Sequence, residues 1–185
     1  MDNKTKAIQL IKSINRPGVE ELLAWLEQSD FYTAPASTKY HGAWAGGLLD
    51  HSLGVYSELK RLYEAYPEIE ATEESLILIA LFHDLCKVNL YTPEKRFRKD
   101  ENGNWESYDT WAFNEKLHFG GHGSKSLFIL QNFIKLTAEE AVAINCHMGS
   151  WNCEDNAGLA AAYTQCPLAW LLHVADEATT FLKAQ

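Results

Sequence analysis

The segment ILIALFHDLCK, residues 77–87, sets His83 and Asp84 at the end of an otherwise apolar run. Buried helices avoid both residue types, because an imidazole or carboxylate taken out of water without a partner costs several kcal/mol, of order 2–7 for polar groups and more for a charge. A metal ion supplies the compensation, since neutral imidazole nitrogen and carboxylate oxygen are the commonest ligands of Zn, Fe, Mn and similar ions. One His-Asp pair alone is more often a satisfied core pair. The anomaly recurs, however, at His51 in GGLLDHSLGVY, His122 in GGHGSKS, His147 in AINCHMG and Asp176 in LLHVADEA. Each is a ligand type set among apolar or small residues.

In this order and spacing the set resembles the HD-domain phosphohydrolase superfamily: a His, the His-Asp doublet, further His residues and a C-terminal Asp. The resemblance runs from about Tyr40 to Ala178. It implies that His51, His83, Asp84 and Asp176 hold a first divalent transition metal (Mn, Fe, Co, Ni or Zn). Asp84 then bridges to a second ion held by His122 and His147, a binuclear centre being preferred to a single ion. Two such ions activate a water and neutralise phosphoryl oxygens. Lys87 matches the lysine of the family's HD-x-x-K pattern and is assigned to the substrate phosphate, where a point positive charge stabilises the transition state. Some relatives carry a His pair before a glycine; here the residues are His147-Met148-Gly149.

The implied activity is hydrolysis of a phosphomonoester or phosphodiester in a small nucleotide-like substrate, with Asp84 and Lys87 as the catalytic pair. The second half of the chain is also similar to the HD portion of a bacterial 3'-to-5' exoribonuclease family, but the residues before it read as helical rather than as an OB-like β module. Two rivals stand beside hydrolysis: a di-iron oxygenase cleaving a C-C or C-P bond on the same scaffold, and a non-catalytic nucleotide-binding module. Retention of every ligand argues against the second rival, because unpaired buried His and Asp cost stability.

Outside the ligand set, His41 and His118 are candidate proton donors or substrate contacts, imidazole titrating near neutral pH. His173 shares a helix face with Asp176 and is placed to hydrogen-bond a ligand or to sit in the core. Arg96, Arg98, Lys99 and Lys116, interleaved with Tyr91, Trp105, Tyr108 and Trp111, suit phosphate binding and base stacking as well as they suit a solvated hairpin. Trp44, Trp151 and Trp170 are assigned mainly to packing.

These side chains need helices to carry them. Periodicity gives an arm of two helices before residue 40, a long amphipathic helix from the Gly46-Gly47 pair to about Tyr66, and an apolar helix after Thr72 with its body at Leu76 to Leu85. Further helices span Ser124 to Ile134, Thr137 to His147 with a capping-box pattern at Thr137 and Glu140, and Pro167 to about Leu182. Residues 91–119 read as an inserted β-hairpin turning at Gly103. The expectation is one all-α HD-type helical bundle over 1–185, with an arm at 1–40 and a metal-binding core at 41–182.

The 185 residues carry a formal net charge of -9 and 46% hydrophobic side chains. That is ordinary globular composition, and the acidic balance argues against a partner as long and anionic as a nucleic acid strand. No apolar run approaches the ~20 residues of a membrane span, so the chain reads as cytoplasmic. Cys86, Cys146, Cys153 and Cys166 contain no CxxC pair and read as reduced thiols, with Cys146 the one beside a candidate ligand.

Overall fold

The computed structural model of the chain describes residues 1–114, 120–152 and 156–183. The helices are α1 (Asn3–Lys12), α2 (Val19–Gln28), α3 (Gly47–Ala65), α4 (Glu73–Phe82), α5 (His122–Leu130), α6 (Ala138–Cys146), α7 (Asn156–Gln165) and α8 (Pro167–Ala178). Strands β1 (Tyr91–Lys99) and β2 (Trp105–Phe113) form the hairpin. The fold is therefore all-α with one small antiparallel ribbon, as expected.

Helix α4 is the buried axis. Thr72 caps it by accepting from the Ser75 backbone N–H, and every residue from Ser75 to Phe82 is buried. Its neighbours are α1, α3 and α6, while α8 closes the bundle against α3 and α6. At about 1.5–3 kcal/mol for each Leu, Ile or Phe removed from water, this helix alone contributes on the order of 10 kcal/mol before chain entropy is charged against it.

The helical body ends earlier than its apolar pattern. It stops at Phe82, and Leu85–Lys87 forms a separate 3-10 turn. His83 and Asp84 thus stand at a break in the helix, where backbone direction changes and side chains can leave the core.

The N-terminal segment is a packing arm: Ala7, Ile11, Leu22 and Leu26 are fully buried. Arg16, between α1 and α2, binds Glu140 bidentately at 2.7 and 2.6 Å. Glu140 also accepts from the Ser75 hydroxyl at 2.6 Å and the Thr137 N–H at 2.9 Å, so the capping box of α6 is realised inside a buried ion-pair network.

The hairpin pairs Tyr91 with Phe113 through to Lys99 with Trp105, and Gly103 takes a positive φ of 82° in its turn. Its strands are largely solvent-exposed beyond Tyr91. Two elements depart from the sequence reading. Helix α7 carries too little apolar periodicity to announce itself, and α8 ends at Ala178, where Thr179–Lys183 winds into a π-helical turn. Among the described residues no helix is long and apolar enough to cross a membrane. Cys86, Cys146 and Cys166 form no disulfide; Cys153 lies outside the described residues.

Candidate metal centre

Two helix ends build the centre in the same way. His83 is the C-cap of α4 and His147 the C-cap of α6. The last carbonyls of a helix lack intrahelical donors. One of them takes each imidazole: His83 Nδ1 lies 2.9 Å from the Ala80 carbonyl and His147 Nδ1 2.7 Å from the Ile144 carbonyl. A carbonyl only accepts, so each ring carries its proton on Nδ1 and leaves the Nε2 lone pair free. Both helix C-termini also bring negative dipole ends toward the same point, which favours a cation.

The remaining residues converge there. His51 comes from the second turn of α3, His122 opens α5 and Asp176 lies near the end of α8. The His51 and His83 rings are 5.3 Å apart and those of His83 and His147 4.9 Å. Gly123 lets α5 approach: a Cβ there would stand 2.4 Å from the Asn145 carbonyl oxygen and 2.6 Å from that of Ile144.

Asp84 sits at the middle, with its two oxygens facing different imidazoles. Oδ2 is 3.4 Å from His83 Nε2 and 3.8 Å from His51 Nε2. Oδ1 is 3.7 Å from both His122 Nδ1 and His147 Nε2. Asp176 Oδ1 completes the first side, 3.0 Å from His51 Nε2 and 3.8 Å from His83 Nε2. Despite these approaches, the facing nitrogens of His51, His83, His122 and His147 are buried and have no hydrogen-bond partner among the described residues. Four imidazole nitrogens and two carboxylates aimed at one another, without hydrogen bonds between them, are a donor set that fits a divalent ion.

Electrostatics agree. Burial alone would raise the Asp84 carboxyl, but Lys87, followed by His83, His122 and His147, holds it well below the usual carboxylate range. Burial likewise opposes ionisation of Asp176, and the His51 contact overcomes it and lowers that carboxyl. His51 is pushed down by burial. Lys87 Nζ lies 2.5 Å from Asp84 Oδ2, and although burial acts against its charge, Asp84 raises it, so the ammonium persists.

A cleft of about 770 Å³ opens over the centre, lined by Asp84, Lys87, His122 and Asp176 on its floor and by Tyr40, Trp44, Met148, Trp151 and Phe181 higher up. His41 lines it as well, its ring 5.0 Å from that of His51. Burial, then the neighbouring His51 and Lys87, pushes His41 down to about 4. His173 supports the centre from behind: its Nδ1 donates to the His147 carbonyl at 2.7 Å and its ring stacks on Tyr163.

Other expectations need correcting. Arg96 is not among the residues lining the cleft; it lies on the exposed ribbon and donates to Glu94 at 2.6 Å. Trp44 and Trp151 are half-exposed and exposed rather than packed, whereas Trp170 rests edge-on against Tyr66. Cys86, not Cys146, groups with Asp84 and His122 among the possible ligand atoms. His118 and Lys116 lie outside the described residues. The sequence reading overlooked Tyr40, Glu177 and Phe181 as lining residues. Tyr40 and Glu177 adjoin singled-out residues, but nothing in the local pattern marks Phe181.

Comparison with known proteins gives the same picture. The HD domain family model matches residues 48–180, a span containing all six candidate ligands. A dihydroneopterin 2',3'-cyclic phosphate phosphodiesterase from Methanocaldococcus jannaschii is 28% identical over 111 residues, which are 57% of this chain and 40% of that protein. The chain thus spans well under two thirds of that relative's length. No solved structure matches the chain.

Proposed function

The chain belongs to the HD domain family, and on that premise we propose that it is a metal-dependent phosphohydrolase acting on a phosphomonoester or phosphodiester bond of a small nucleotide-like substrate. The carrying observation is the division of Asp84: one oxygen faces His51 and His83, the other His122 and His147. A single carboxylate between two sets of unpartnered imidazoles suits a pair of ions better than one. The similarity to a protein named as a cyclic phosphate phosphodiesterase supports the reaction class.

In this reading His51, His83, Asp84 and Asp176 would hold one divalent ion (Mn, Fe, Co, Ni or Zn), and His122 and His147, with Asp84 shared, would hold a second. When bound, the ions supply Lewis acidity for the attacking water and charge neutralisation for the phosphoryl oxygens. The chain's own residues do the rest. Lys87, fixed against Asp84 at the cleft floor, keeps its proton and presents a positive charge to the phosphoryl group as charge develops. His41 offers a hydrogen bond to the substrate, and the break after Phe82 sets His83 and Asp84 at the end of a buried helix. The whole chain, 1–185, acts as one unit, the arm serving packing.

Metal analysis of the purified protein, paired with phosphate release from nucleotides and from a phosphodiester reporter, tests this reading. Two ions per chain and turnover abolished in Asp84→Ala are expected. Bound iron with oxygen consumption and no phosphate release would assign oxygenase chemistry instead.

A further inference from the structure

We infer that the substrate carries one phosphoryl group and a planar aromatic ring, and that Trp44 and Trp151 at the cleft mouth bind that ring. The inference rests on the hydrolase reading for the phosphoryl end and on separate residues for the ring.

The cleft is far larger than a phosphate needs; about 770 Å³ accommodates a ligand of nucleotide size. Its upper wall is aromatic, and these aromatics are not consumed by packing: Trp44 is 50% exposed, Trp151 78% and Phe181 65%. Large apolar rings left in water around one concavity mark a binding surface. Trp44 is also held in place. Its Nε1 donates to Asp50 at 3.1 Å, and Asp50 in turn accepts from Asn3 at 2.7 Å, so the arm fixes the indole before any ligand arrives. Such fixing lowers the ordering cost of binding. Phe181 reaches the cleft from the π-helical turn after α8, an irregularity common at functional sites.

Charge sets the phosphate count. Among the described residues, Lys87 is the only lysine or arginine lining the cleft, and Asp84 already pairs with it. Asp176 and Glu177 add negative charge to the same cavity. Among the described residues no cationic fork is left for a second or third phosphate away from the metal ligands, which favours a monoester or cyclic diester over a polyphosphate.

Stacking one base on an aromatic side chain contributes roughly 5- to 150-fold in affinity. The test is calorimetric binding of adenosine 5'-monophosphate, ribose 5-phosphate and adenosine 5'-diphosphate to the metal-loaded protein at fixed free metal, with phosphate release followed in parallel. The monophosphate should bind at least about tenfold tighter than ribose 5-phosphate, and the diphosphate no tighter than the monophosphate. Trp44→Ala and Trp151→Ala should each shrink the first gap while leaving ribose 5-phosphate binding unchanged, which also reports an intact site; Trp→Phe at either position should restore it. No gap, or a gap that survives both alanine variants, overturns the stacking. Tighter diphosphate binding overturns the single-phosphoryl assignment. A gap without any turnover keeps the ring site and removes the hydrolase reading, whereas turnover without a gap does the reverse.

Discussion

His83 and His147 meet edge-on, their ring centroids 4.9 Å apart, and each is locked by a hydrogen bond from Nδ1 to the carbonyl three residues before it. Two helices therefore end in the same device at the same place. If the two rings serve different ions, their loss should differ in kind. His147→Ala should leave about one ion per chain, while His83→Ala should weaken binding of the first ion by at least 10–100-fold, since it removes one of that ion's ligands. Elemental analysis after gel filtration distinguishes the two. Loss of both ions in each variant, or two ions retained in either, would contradict separate roles.

Gly123 is the close-approach point between α5 and α6, and a methyl group there meets the Asn145 carbonyl at 2.4 Å. Gly123→Ala should push His122 away from Asp84 and lower occupancy of the second ion with the core intact. The checks are metal content and thermal unfolding: loss of about one ion, with a stability change of about 1–3 kcal/mol from overpacking.

Lys87 neutralises Asp84 at 2.5 Å in a buried setting. Replacing it with the uncharged Lys87→Met should cut turnover about 10²-fold while leaving metal content near two. In chelated protein the same change should cost about 3 kcal/mol, because Asp84 loses the lysine that offsets its buried charge, and added metal should restore most of it. A variant with unchanged turnover would remove Lys87 from the phosphate-binding role.

The pH dependence of stability should report Glu140. Although burial opposes its charge, Arg16 first, then Ser75 and Thr137, hold its carboxyl below the ordinary value of 4.5. A depressed folded-state pKa stabilises the native state above the unfolded value, and that contribution disappears as pH falls through the folded value. Wild-type unfolding temperature attributable to this group should thus be flat between pH 7 and about 5 and fall below about 4.5. Glu140→Gln should cost about 3 kcal/mol at pH 7 and show a shallower acid slope. Equal slopes would show that the Arg16–Glu140 network is not the titrating element.

The clustering of these side chains was legible because they violate their surroundings: His83-Asp84 closing an apolar run, His51 and Asp176 inside amphipathic helices. The hairpin was legible from Gly103, since a tight turn demands a positive φ. Arg96, a basic residue among aromatics, reads as a phosphate contact in the sequence, and the register sets it on an exposed ribbon where it donates to Glu94. The Arg16–Glu140 pair joins residues 124 positions apart, beyond any local pattern. The π-helical turn that carries Phe181 to the cleft is equally hidden, because TTFLK continues a helical pattern.

The most direct test of the central claim is a titration of metal-stripped protein with manganese while phosphate release from a phosphodiester reporter is followed. The account predicts no turnover in chelator and recovery that saturates near two equivalents, with Asp84→Ala inactive throughout. Turnover that persists in chelator, or full activity in Asp84→Ala, would contradict it.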